Sequence, residues 1–183
     1  MLQLWQWRNP RRRWLLKAPS HLNYLPTLFD VLPDARVLFT HRDPIQAQAS
    51  VVDLAGTIFW MRSDKPMRVE AFEGLLSPET MAARLDRIID WLESGAIPKA
   101  QCASSLYADL IAHPVEAVRR VYERCELEFT PETERRVRTY LASKPQGKHG
   151  RHEYATAEGE EIRRRRRLFA RYQAYFGIPD EAV

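Results

Sequence analysis

The order of segments along this chain predicts an α/β protein: a parallel sheet flanked by helices, with a helix-rich carboxyl-terminal half. Strand-like and helix-like stretches alternate over the first third of the sequence, as in βαβ units joined by right-handed crossovers. Val37, Leu38 and Phe39 form an apolar run without polar alternation, the pattern of a strand buried on both faces. Asp43-Pro44 follows directly. Aspartate caps the free amides of a helix, and proline is tolerated at the first helical position because its missing N–H has no partner there anyway.

Taken in order, residues 2–7 read as the tail of a helix ending near Asn9-Pro10, and residues 13–17 as a buried strand stopped by Ala18-Pro19. From Ser20, Leu22, Leu25, Leu28, Phe29 and Leu32 recur at helical spacing, with Pro26 acceptable only in a first turn. Pro33-Asp34 closes that helix and leads into the strand from Ala35. The helix from Pro44 runs to about Met61, and the polar stretch 62–77 is expected to be a substrate-facing loop. Ser77-Pro78-Glu79 opens a helix with Met81, Leu85, Ile88, Ile89 and Leu92 on one face, broken at Gly95.

Residues 101–106 form a weaker strand candidate. His113-Pro114 starts a helix with Val115, Val118, Val121 and Tyr122 inward, and Thr130-Pro131 starts another with Val137, Tyr140 and Leu141 inward. Residues 144–156 read as a loop. The last helix runs from about Glu160 to Phe176, turns Ile162, Phe169, Tyr172 and Phe176 to the core, and stops at Gly177. No repeat and no Pro-, Gly- or Ser-rich linker divides the chain, so residues 1–183 are expected to form a single domain.

Composition narrows the function. The chain has 45% hydrophobic and 28% charged residues and a net charge of +4, as in an ordinary globular protein. Two cysteines, Cys102 and Cys125, make no disulfide framework, and no Cys/His spacing resembles a metal site, so no metal is expected. Arg8 interrupts the apolar start before a signal-peptide core forms, and no run approaches membrane-spanning length, which points to a cytoplasmic protein. Basic residues crowd the start and form an unbroken arginine run at 163–167. Five consecutive arginines surround a helix rather than face one groove, so nucleic acid is not the expected partner.

Arg42 falls where a strand's carboxyl end meets a helix's amino end, the place where open α/β sheets hold ligands and where a helix terminus favours an anion. Ser50 lies eight residues on, and the pair reads as a phosphate clamp. Taken alone, an arginine followed by Asp-Pro is more often a surface ion-pair partner. Lys17, at the end of the first strand, and His21, one turn further, offer a cation and a group that takes a proton near neutrality. Gly147, Lys148, His149, Gly150 and Arg151 combine backbone freedom with basic side chains suited to wrapping a phosphate.

Arg-Trp-Leu-Leu-Lys-Ala-Pro-Ser-His-Leu at 13–22, Pro-Asp-Ala-Arg-Val-Leu-Phe-Thr-His-Arg-Asp-Pro at 33–44, Tyr-Ala-Asp-Leu at 107–110 and Gly-Lys-His-Gly-Arg-His-Glu-Tyr at 147–154 together resemble the sulfotransferase family. The similarity is closest to its bacterial branch and keeps the same order over nearly the whole chain. The resemblance implies a P-loop-like fold and transfer of a sulfuryl group from 3′-phosphoadenosine 5′-phosphosulfate (PAPS) to a hydroxyl or amine, on a small-molecule, carbohydrate or lipid acceptor. It implies that Arg42 and Ser50 hold the 3′-phosphate and that the loop around Lys148, His149, Gly150 and Arg151 closes over it. In the same comparison Lys17 matches the lysine at the sulfuryl group, and His21 matches, less closely, the catalytic histidine.

The sequence departs from the family at its front. The strand and the Gly/Ser/Thr-rich loop that hold the 5′-phosphosulfate have no counterpart before residue 13, so the chain is expected to be the carboxyl-terminal portion of such an enzyme. A catalytically silent nucleotide- or partner-binding form of the fold is the alternative. Glu126 also stands where relatives often carry glycine, and His113 where they often carry aspartate.

Overall fold

The computed structural model describes residues 6–10, 13–144 and 159–181. Among them, two parallel strands lie side by side. β1 (Val37–His41) pairs with β2 (Cys102–Leu106) from Val37↔Cys102 to His41↔Leu106. The Gln101 amide secures this register by donating to Pro33 O at 2.9 Å and Ala35 O at 2.8 Å, which ties the entry of β2 to the turn before β1. Around the pair run α1 (Leu25–Val31), α2 (Pro44–Trp60), α3 (Glu73–Leu76), α4 (Pro78–Ser94), α5 (Tyr107–Ala112), α6 (Pro114–Arg124), α7 (Pro131–Ser143) and α8 (Gly159–Phe176). The α/β class with a helix-rich second half is as the sequence predicts.

The core lies where α4 and α8 pack together beside β1. Leu85, Ile88, Ile89 and Leu92 from α4 meet Phe169 and Tyr172 from α8, Phe39 from β1 and Leu25 and Phe29 from α1. These are the faces predicted from helical spacing, with Met81, Ile162 and Phe176 partly buried at the margin. Ser77 caps α4 through Thr80 N at 3.2 Å, and α8 ends at Gly177 with φ 65°, a left-handed turn that glycine enters without a Cβ clash.

Several expectations are corrected. Residues 13–17 form no strand, and Leu15 is 99% exposed; three apolar residues in a row do not make a strand unless a neighbouring ladder accepts their backbone. The helix expected from Ser20 is split into a 3₁₀ turn, Pro19–Asn23, and α1. Pro26 cannot accept a preceding helical turn, so α1 begins at Leu25 and places the proline in its first turn. The stretch 62–77 contains a 3₁₀ turn, Val69–Phe72, followed by α3. α7 buries no residue, and Tyr140 is exposed. α7 is held to α6 by the Arg119–Glu134 pair at 2.7 Å, while Arg119 also lies over the Phe129 ring at 4.5 Å.

Glu126 has φ 52°, and the turn after α6 closes through Leu127 N to Tyr122 O at 2.8 Å. The turn is therefore as tight as a glycine-bearing one, with a side chain placed where glycine is favoured. Glu126→Gly is expected to raise stability by roughly 0.5–1 kcal/mol, read as an increased urea midpoint, because it relieves that strain and loses only an exposed Arg36 pair.

Candidate functional site

The chemistry-bearing residues gather where β1 ends and α2 begins. His41 closes β1 with 2% exposure. Its Nδ1 lies 2.7 Å from Tyr172 Oη, its Nε2 lies 2.9 Å from Ser104 Oγ, and its ring stacks on Phe176 at 4.2 Å. Burial lowers its pKa from 6.5 to about 4 and pushes the Tyr172 hydroxyl up, so both are neutral near pH 7. The neighbouring strand carries Cys102, whose thiol burial raises to about 11, leaving it a poor nucleophile.

Asp43 caps α2 as predicted, accepting from Ile45 N at 3.0 Å, with Pro44 at the first position. Its side chain is fully buried and does more than cap. Oδ1 also accepts from Arg166 Nη1 at 2.8 Å, and Oδ2 accepts from Glu181 N at 2.8 Å. The anion that a helix terminus favours is thus supplied here by the chain itself.

Arg42 sits at the seam with a partly exposed guanidinium. Nε donates to Glu181 Oε1 at 2.9 Å and Nη2 donates to Oε2 at 2.8 Å, while the planar group lies 4.6 Å over the Tyr107 ring. The fork is therefore held flat by an aromatic ring and engaged edge-on by two oxygens. That is the geometry in which arginine takes carboxylate or phosphate.

Ser50 lies two turns into α2 and is half-buried. Lys17 is exposed in the segment before the Pro19–Asn23 turn, and His21 is exposed on that turn, which packs against α1 and α4. Among the described residues no hydrogen bond or ion pair joins Lys17 or His21 to Arg42 or Ser50. Gly147, Lys148, His149, Gly150 and Arg151 lie outside the described residues.

Sequence reasoning missed Glu181, Arg166, Tyr107 and Tyr172 as members of this site. The arginine run gave a signal for only one of them. Within it, Arg164 pairs with Glu79 and Glu161, Arg165 with Glu161, and Arg166 with Asp43 and Asp180. The middle three arginines of the run are thus engaged by carboxylates on different sides of α8 rather than presented as one basic face.

Comparison with known proteins gives a consistent result. A family model described as the sulfotransferase family matches residues 1–131. The crystal structure of sulfotransferase STF9 from Mycobacterium avium superposes with a TM-score of 0.78 at 30% sequence identity, covering 100% of this chain and 46% of that one. The chain thus spans less than half the length of this structural relative. No curated protein matches the chain. Among the described residues no helix is long and apolar enough to cross a membrane.

Proposed function

Since this chain belongs to the sulfotransferase family, we propose that it acts in sulfuryl transfer from PAPS to a hydroxyl or amine, as a single cytoplasmic domain. The observation that carries this reading is the bidentate engagement of the Arg42 fork by a carboxylate at the β1–α2 seam. The side chain is already posed for a planar pair of oxyanion oxygens, which the 3′-phosphate of the donor offers. Ser50 adds a hydroxyl donor to that phosphate, and Gly147, Lys148, His149, Gly150 and Arg151 close over it.

In the reaction the S–O bond to the donor's 5′-phosphate breaks as sulfur bonds to the acceptor oxygen or nitrogen. Lys17 neutralises the charge that collects on the departing phosphate oxygen, and His21 takes the acceptor's proton. The transfer asks the protein mainly for alignment and charge stabilisation, with no metal required. The exposed Trp60 and Met61, at the end of α2 beside the 62–77 stretch, are where a small-molecule, carbohydrate or lipid acceptor would be chosen.

Titration with 3′-phosphoadenosine 5′-phosphate and with AMP tests the reading. The doubly phosphorylated nucleotide is expected to bind more tightly, and Arg42→Ala to weaken it about 30-fold, a loss of about 2 kcal/mol for one charge-assisted contact, with AMP little affected. Equal affinities, or no loss on substitution, would refute the clamp. Transfer of labelled sulfate from PAPS to a panel of phenols, sugars and amines tests turnover itself; nucleotide binding with no transfer to any of them would refute the catalytic reading.

A further inference from the structure

We infer that the segment following α8 carries a built-in competitor for the nucleotide's 3′-phosphate: the Glu181 carboxylate, which occupies the Arg42 fork and must leave before the phosphate can enter. The inference rests on the reading of Arg42 as the phosphate clamp and adds a regulation of that site.

The fit of Glu181 is specific. Its two carboxylate oxygens take Nε and Nη2 of Arg42 at 2.9 and 2.8 Å, the edge that a phosphate would use. Its backbone is fixed on both sides, with its N–H donated to Asp43 Oδ2 at 2.8 Å and its carbonyl accepting from Arg166 Nη2 at 3.3 Å. The preceding residue is secured too, since Asp180 Oδ1 accepts from Gln173 Nε2 and pairs with Arg166 Nη1, each at 2.8 Å. Asp43 and Arg166 belong to the α2 cap and to α8, so the segment docks on parts of the fold that persist whether or not Arg42 changes partner.

Charge points the same way. Among the described residues the seam holds two guanidiniums, Arg42 and Arg166, against three carboxylates, Asp43, Asp180 and Glu181, so negative charge is already in excess. A phosphate added to that set would face uncompensated like charge, whereas a phosphate replacing Glu181 restores the pairing of Arg42. The side chains of Arg42 and Glu181 are 31% and 29% exposed, so the pair is held weakly enough to exchange. Tethering gives the carboxylate a high effective concentration while leaving its contacts reversible. A dianionic phosphate can then displace it, and a weaker anion cannot.

A double-substitution cycle with 3′-phosphoadenosine 5′-phosphate as the probe tests this. E181Q keeps the shape of the side chain and removes its charge, and is expected to tighten the probe about three- to tenfold. In an R42A background the same E181Q change is expected to have no effect, because the contested fork is gone. If E181Q leaves affinity unchanged or weakens it while R42A weakens it, the competitor is refuted and the clamp stands. If E181Q tightens binding equally in both backgrounds, a general charge effect is responsible and the competitor is again refuted. If R42A itself leaves binding of the probe unchanged, the clamp fails and the competitor fails with it.

Discussion

Asp43→Ala is expected to lower the stability of the fold by about 4 kcal/mol, the largest effect of any single polar substitution at the site. The carboxylate is fully buried and serves three elements at once: it caps α2 through Ile45 N, pairs with Arg166 on α8 and receives Glu181 N. Removing it strips one helix of its cap, worth about 1 kcal/mol, and leaves a guanidinium that is only 20% exposed without its inner partner, a loss of about 3 kcal/mol by comparison with other broken buried pairs. Arg166 keeps Asp180, which holds the total to this figure. A urea titration read at several wavelengths measures it. A shift of the midpoint worth under 1 kcal/mol, with unchanged slope, would mean that the three contacts are replaceable by water.

That substitution also shows why the site was only partly legible in the sequence. The Asp43-Pro44 cap is local chemistry, encoded within three residues, and it was readable because nothing distant has to cooperate for a carboxylate to reach the amide two positions on. The inward faces of α4 and α8 were readable for the same reason, since helical periodicity is a local property. The partners that Asp43 and Arg42 find in Arg166 and Glu181 stand 123 to 139 residues away in the chain, and no spacing rule connects those two residues to them. The arginine run at 163–167 surrounds a helix and so does not read as one anion-binding face, and the structure supplies carboxylate partners for Arg164, Arg165 and Arg166 from within the chain. Its alternating sides reach Glu79, Glu161 and Asp43 because a helix turns successive residues by about 100°.

The segment at 13–17 failed in the opposite direction. Its composition is that of a buried strand, yet strand identity depends on a ladder partner, and among the described residues β1 pairs with β2 alone. Lys17 and His21 therefore owe their standing as candidates to the family resemblance and not to contacts with the Arg42 seam. The bland reading of Arg42, an ion-pair partner at a strand end, is also partly correct. The fork does pair with a carboxylate, and that pairing is what reveals its geometry and what the proposed nucleotide would have to displace.

The second large expected effect concerns acid. His41 is 2% exposed, and burial sets its pKa near 4 against 6.5 in an unfolded chain. Between those values the unfolded state binds more protons than the folded one, so stability falls as pH is lowered. The contribution is fully present above pH 6.5, declines through the interval and is lost below pH 4, for a total of about 3 kcal/mol and about 2 kcal/mol between pH 7 and pH 5. His41→Gln removes the titration while keeping groups able to hydrogen-bond Tyr172 and Ser104. The parent protein is expected to lose about 2 kcal/mol more than the variant between those two pH values, measured by urea unfolding at each. Equal losses would show that the imidazole is not held neutral by its surroundings. The consequence reaches the proposed nucleotide site through the chain itself. Protonating His41 places a buried charge at the residue before Arg42, between the Phe176 ring and the hydroxyls of Tyr172 and Ser104, and a strand end loosened there no longer holds the guanidinium flat over Tyr107. Affinity for 3′-phosphoadenosine 5′-phosphate should therefore fall in acid along with stability in the parent, and less so in His41→Gln.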